Sequence, residues 1–255
     1  MENFDLLSAS YNGVKGVDYA YGVLPWGATE AHNYHLPYLT DCYLSHDVSV
    51  DAVRKAFALY RVRGMVLPPV TLGSQNPGQY EIAFCIHARY ETQKAILSDT
   101  VACLARQGIG KLFVVNGHGG NSFKNMVRDL AFDDPSFTVI VVDWYRVVPP
   151  EGYFERAGEH ADELETSVLM HYRPQLVNPA VAGDGRSRPF RSSALNRGAA
   201  WTPRNWACIS QDTGVGNPHL ATAAKGERYA EAVSDRLAEL FGEVVTEEMY
   251  QDRFS

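Results

Sequence analysis

The run KLFVVN at 111–116 constrains this chain most, being apolar along almost its whole length and followed at once by Gly117. A strand with so little polar face must be covered from both sides, as in a parallel sheet between helical layers. Three further short β-rich runs share the pattern, at 19–25 (YAYGVLP), 64–68 (GMVLP) and 137–143 (FTVIVVD). Between them lie stretches with helical spacing. The spacing predicts helices over 45–60, with Ser45 as N-cap, and over 91–107, 121–132 and 160–173. Near the C-terminus, Ala230, Val233, Leu237, Leu240 and Val244 form one apolar stripe of a surface helix. Such alternation predicts an α/β protein with a mostly parallel central sheet and helices on both faces. No internal repeat or charge block divides the chain, so residues 1–255 are expected to form one domain. The long irregular stretch 176–218 is expected to serve function or an interface rather than form a second domain.

Composition excludes several partners. Of 255 residues, 23 are Lys or Arg and 30 are Asp or Glu, a net charge of −7 with no basic cluster to meet a phosphate backbone. Nucleic acid is therefore not an expected partner. No stretch approaches the ~18 apolar residues of a membrane span, and the N-terminus lacks the pattern of a signal peptide. The four cysteines, Cys42, Cys85, Cys103 and Cys208, form no CxxC pair. A reducing cytoplasmic setting is the expectation.

Open α/β sheets bind ligands at the carboxyl ends of their strands, and there the chain concentrates acids and histidines. After the first strand, GATEAHNYHLPYLTD holds Glu30, His32, His35 and Asp41, with Glu30 and His32 two apart and Asp41 able to fold back across Pro37. After the third, NGHGGN presents His118 between glycines. After the fourth come Asp143, Trp144 and Tyr145, and the later GEHADELETS adds His160, Glu163 and Glu165. Carboxylates and imidazoles without thiolates form a ligand set for Zn, Mn or Fe(II). A pair of such ions needs a bridging carboxylate. Taken singly, each of these residues also has an ordinary structural role, such as a turn cap or a hydrogen-bonded histidine.

The segment LPWGATEAHNYHLPYLTD, followed in order by VVNGHGGN, HADELETS and GVGNPHLATAAKGE, resembles the motifs of the creatininase (creatinine amidohydrolase) family over roughly residues 20–240. The resemblance implies a three-layer α/β/α sandwich, a centre of two divalent ions (Zn, Mn or Fe) and a homo-oligomer, often a hexamer. Carried over by motif, Glu30 and His118 resemble terminal ligands of one ion, His32 a ligand of the second, and Asp41 the bridge. Creatininase has a further glutamate two positions after the equivalent of His118. Gly120 stands there in this chain, and Glu165 is the candidate replacement. His160 matches a histidine that shuttles a proton to the leaving nitrogen, so His160 and Glu165 are the catalytic candidates.

The implied activity is hydrolysis of a C–N bond in a small cyclic amide or formamide-type substrate by a metal-bound hydroxide. Two departures bear on the substrate. Arg156 stands where creatininase has a ring-clamping tryptophan, and FCIH (Phe84 to His87) stands where relatives read Phe-Pro-Gly-Thr. Arg156 and His87 would either make the pocket more polar than a creatinine clamp or lie at the surface. Family members also include ring-opening hydrolases of keto-inositols, deformylases and peptidases, and ring-opening of a cyclic ketone is the alternative. A nucleotide-dependent oxidoreductase is a distant third. Gly117 and Gly119 begin a GxGxxG, but Ser122 replaces its last glycine and His118 would crowd a pyrophosphate. No GxSxG elbow occurs.

Among the remaining histidines, His35 is expected either to orient a ligand or to be purely structural. His46 with Asp47 is expected to cap a helix start, and His171 to be exposed or interfacial. The GVGNP turn before His219 is a candidate subunit contact.

Overall fold

A computed structural model of the chain describes residues 3–156 and 158–250. A short helix α1 (Tyr11–Val14) precedes strand β1 (Tyr21–Trp26), helix α2 (Thr40–Tyr60) and strand β2 (Gly64–Val66). Helix α3 (Tyr90–Arg106), β3 (Lys111–Asn116), α4 (Lys124–Asp133) and β4 (Thr138–Asp143) follow. The chain then runs through α5 (Glu163–Tyr172), two single-turn helices α6 (Ser193–Asn196) and α7 (Trp206–Ile209), and the long α8 (Ala223–Thr246). The stretch 176–218 is otherwise mostly irregular, as its Pro, Gly and Asn content implies.

The four strands pair in the order β2-β1-β3-β4, all parallel. Alternation along each strand splits the core into two. Tyr21, Val23, Phe113 and Val115 face one side, under α2, α5 and α8. Leu24, Trp26, Leu112 and Val114 face the other, under α3 and α4. Period-2 side-chain direction thus turns one apolar run into two buried faces, giving the three-layer α/β/α sandwich. β4 lies at the sheet edge and is only half-buried, although its sequence is nearly as apolar as that of β3.

The chain passes from β1 to β2 on one side and returns to β3 on the other, so a switch point lies between β1 and β3. There Trp26 and Asn116 are paired at the same level, and ligand sites form outside such ends. The N-terminus of α2 packs directly onto the glycines that follow both strands. A Cβ on Gly27 would lie 2.6 Å from Asp41 Cβ, and one on Gly117 2.5 Å from the Asp41 carbonyl oxygen. Only glycine permits this approach.

Helix α2 starts at Thr40, one turn and more before the expected Ser45. The Thr40 hydroxyl and N–H both reach the Pro37 carbonyl, and Ser45 is an interior residue whose Oγ donates to the Asp41 carbonyl at 2.6 Å. His46 and Asp47 are therefore not caps. His46 is buried inside the helix, bonded to Asp47 (2.9 Å) and to Asp5 (3.1 Å). The correction matters for the site, since it moves Asp41 from a loop into the first turn of a helix. No helix among the described residues is long and apolar enough to cross a membrane.

Candidate metal centre

Glu30 and His32 leave β1 on the short segment before α2, Asp41 sits in the first turn of α2, and His118 follows β3. His160 precedes α5, and Glu165 lies in its first turn. Asp162 caps that helix, its carboxylate accepting from the Glu165 N–H at 3.0 Å. Ala161 adopts a left-handed backbone (φ 49) between His160 and the cap. This turn separates the direction of His160 from that of the helix. All six side chains meet at the switch point, and all but Glu165, which is half-buried, are fully buried.

Three buried imidazoles have one ring nitrogen each on a backbone carbonyl. His32 Nδ1 donates to Glu30 O (3.1 Å), His118 Nε2 to Ser74 O (2.7 Å), and His160 Nε2 to Ala31 O (2.9 Å). A carbonyl oxygen only accepts, so those nitrogens carry the hydrogens and the opposite nitrogens are left to face the centre. His32 Nε2 lies 2.9 Å from Asp41 Oδ1. His118 Nδ1 lies 2.9 Å from Glu30 Oε1 and 3.3 Å from Asp41 Oδ2. His160 Nδ1 is 3.6 Å from Glu30 Oε1. Asp41 Oδ2 is buried and accepts no hydrogen bond.

Lone pairs of imidazole facing carboxylate oxygens repel unless a proton or a metal cation lies between them. Burial disfavours the imidazolium of His32, yet the Asp41 carboxylate raises it to about 10. His118 is likewise raised well above the ordinary value, against burial, by Glu30 and Asp41. Burial alone would push both carboxyls up. The neighbouring imidazoles instead hold Glu30 below, and Asp41 well below, the usual range. Burial, with His32 beside it, keeps His160 below its ordinary value, whereas burial raises Glu165 to about 8. The centre demands positive charge, and its donor set of oxygens and neutral ring nitrogens suits a divalent transition ion.

Three triads could each hold an ion, with ligand atoms within 4.8 Å of one another: Glu30, Asp41 and His118; His32, Asp41 and Glu165; and Glu30, His32 and His160. Asp41 belongs to the first two, presenting Oδ2 to one and Oδ1 to the other. Gly120 can carry no ligand. A Cβ there would collide with the Ser74 carbonyl oxygen and come within 2.5 Å of His118 Nε2. Glu165 is the acid that faces His32 and Asp41 instead, with its Oε2 held by the Ala161 N–H at 2.6 Å.

Two contributors to this arrangement escaped sequence reading. Gln79 donates to Glu30 Oε2 at 2.7 Å, and Ser74 offers only its carbonyl. Both come from an irregular segment without periodicity, and a backbone acceptor leaves no mark in a sequence. His35 bonds Thr166 Oγ1 at 2.8 Å, tying the segment before α2 to α5. His171 is half-buried against Tyr172, and His219 is exposed.

A cavity of about 1160 Å³ opens above the centre. His87 and Arg156 both line it, together with Tyr145, Phe154, Trp201 and Trp206. The backbone N–H groups of Glu155 and Arg156 are held by the buried Glu163 carboxylate, which also pairs with Lys225 at 2.6 Å.

A parallel three-layer sandwich with a buried carboxylate–imidazole centre at its switch point defines a class of α/β proteins built to hold cations under a ligand cavity. The profile of the creatininase family, described as creatinine amidohydrolase, matches residues 15–241, and the chain belongs to that family. A mycofactocin precursor peptide peptidase from Mycobacterium ulcerans (strain Agy99) is 30% identical over 230 residues, covering 84% of this chain and 81% of its own. A 3-dehydro-scyllo-inosose hydrolase from Thermotoga maritima is 24% identical over 250 residues, covering 88% and 77%.

Among solved structures, a Bacteroides fragilis NCTC 9343 protein provisionally named creatinine amidohydrolase superposes with a TM-score of 0.96 at 52% identity. The match covers 98% of this chain and 100% of that one. Creatininases named for Mn and for a Zn-Zn pair share the fold at 20% identity, with TM-scores of 0.77 and 0.74. They cover 95% and 96% of this chain, and 99% and 100% of their own.

Proposed function

We propose that this chain is a metal-dependent hydrolase that cleaves the C–N bond of an amide, with two divalent ions bridged by Asp41. One observation carries the reading: three buried imidazoles have one N–H each fixed on a backbone carbonyl, so that their second ring nitrogens converge on Glu30 and Asp41. Glu30, Asp41 and His118 would hold one ion, and His32, Asp41 and Glu165 the other. Ions held there supply Lewis acidity toward a carbonyl and lower the pKa of water.

The chain's own groups handle the protons. His160 is held below its ordinary value by burial and carries its hydrogen on Nε2, so Nδ1 is free to accept a proton near neutral pH. Passing that proton to the departing nitrogen completes general acid–base work, in which His160 is base and then acid. Burial raises Glu165 to about 8 while no ion is beside it, so taking up an ion there would displace its proton. Arg156 and His87 give the cavity polar walls, and its volume exceeds the needs of a single small ring. Cyclic amides, formamides and short peptides all belong to the substrate class proposed, and the M. ulcerans relative's name supports the last.

Metal analysis of purified protein, followed by hydrolysis assays over lactams, formamides, short peptides and cyclic ketones, tests the reading. Stoichiometric Zn, Mn or Fe and amide cleavage are expected. A metal-free protein that cleaves none of these overturns it, and cleavage of ketones alone moves the activity to ring-opening of a cyclic ketone. Light scattering tests the homo-oligomer implied by family resemblance.

A further inference from the structure

Tyr145 is the middle residue of the single turn Trp144–Arg146 that follows β4. Its hydroxyl lines the cavity beside Gly119, where a Cβ would lie 3.8 Å from Tyr145 Oη. Gly119 directly follows His118, so the phenol stands over the backbone next to the centre, and the missing side chain keeps the space between them open. The hydroxyl has no hydrogen-bond partner among the described residues.

Its position is nonetheless fixed. The Tyr145 carbonyl accepts from Tyr229 Oη of α8 at 3.2 Å, and its ring meets the fully buried Trp144 edge-on at 6.2 Å. Burial, with the carboxylate of Asp143 adding to it, keeps the phenol protonated. An O–H donor thus lies in the cavity that Glu30, Asp41 and Glu165 also line, without bonding any of them. Its natural acceptor is a group that arrives with the ligand.

We propose that Tyr145 is a further catalytic residue, whose Oη–H donates a hydrogen bond to the substrate carbonyl oxygen as that oxygen gains negative charge. This rests on the amide-hydrolase reading above. A preorganised donor aimed at developing charge acts mainly on the transition state, because the neutral carbonyl accepts more weakly than the oxyanion.

Tyr145→Phe keeps the ring and removes only the donor. Metal content and melting temperature should match wild type, since the hydroxyl bonds nothing among the described residues. On an amide that the wild type cleaves, kcat should fall about 10²-fold with KM within about two-fold. Methylphosphonate, a tetrahedral anion, should bind metal-loaded Tyr145→Phe about tenfold more weakly than metal-loaded wild type, by calorimetry. This arm needs no turnover, so it decides the role of Tyr145 even if the wild type hydrolyses none of the amides and the functional reading falls. Equal methylphosphonate affinity in the two proteins, or no binding to either, overturns the proposal. So does an unchanged kcat, or a loss confined to KM or to melting temperature.

Discussion

His118 Nε2 donates to the Ser74 carbonyl at 2.7 Å and thereby points Nδ1 at Glu30 Oε1, 2.9 Å away. A residue 44 positions earlier in the chain thus sets the tautomer and direction of the imidazole. Gly120 lies against the same contact. Replacing Gly120 with Ala should push the Ser74 carbonyl and the His118 ring apart, cost about 1–3 kcal/mol of stability, and weaken metal binding about 10–100-fold. Denaturant melts and metal titrations check both, and a G120A protein with wild-type affinity would deny the Ser74–His118 contact its role.

Metal binding should release protons. In the metal-free protein His32 is raised to about 10, so it is imidazolium at pH 7 to 8, and the Glu30 and Asp41 carboxylates raise His118 in the same direction. A cation displaces those protons, and apparent affinity therefore rises with pH as far as about 10. Calorimetry in buffers of differing ionisation enthalpy should show net proton release per chain. Binding that is independent of pH between 6 and 9 would contradict the assignment.

Asp41→Asn and His118→Ala should each lose hydrolysis by at least about 10³-fold along with bound metal, because Asp41 belongs to two of the three triads and His118 to one of those two. Metal counts by elemental analysis separate them. Asp41→Asn should empty both positions, whereas His118→Ala should spare the His32, Asp41 and Glu165 position. Full metal and turnover in either variant would disprove the ligand set.

Gln79 holds Glu30 through a 2.7 Å hydrogen bond while itself buried. Gln79→Leu leaves Glu30 Oε2 without its donor, so metal affinity should drop about 10–100-fold with little change in substrate KM. Gln79→Asn, whose amide is one methylene short, should recover little of it.

Away from the centre, the buried His46 imidazole sits between Asp5 and Asp47, and Arg173 grips Asp47 at 2.7 Å through two nitrogens. Burial opposes the charged ring, but the two carboxylates more than offset it and raise its value. A raised histidine contributes stability that is complete below the unfolded value of about 6.5 and disappears as pH climbs through the folded value. The melting temperature should therefore fall as pH rises above about 6.5, and His46→Gln should flatten that slope.

Much of this protein is legible in its sequence. KLFVVN predicts a strand covered on both faces because its apolar run leaves no polar side, and the observed β3 has the same bounds. The acids and histidines that follow β1 and β3 were visible as residue types that only a polar site gathers at strand ends. Chain direction and side-chain period determine such features locally. Tertiary packing decided the rest. Helix α2 begins at Thr40 because Gly27 and Gly117 admit its first turn, a close approach that no propensity records. The tautomers of His32, His118 and His160 depend on carbonyl oxygens of Glu30, Ser74 and Ala31, which every residue type possesses equally. The place of Glu165 beside His32, and of Tyr145 above Gly119, follows from how α5 and the turn after β4 dock on the sheet. Contacts between distant backbone atoms carry no residue signature, so they exist only once the chain has folded.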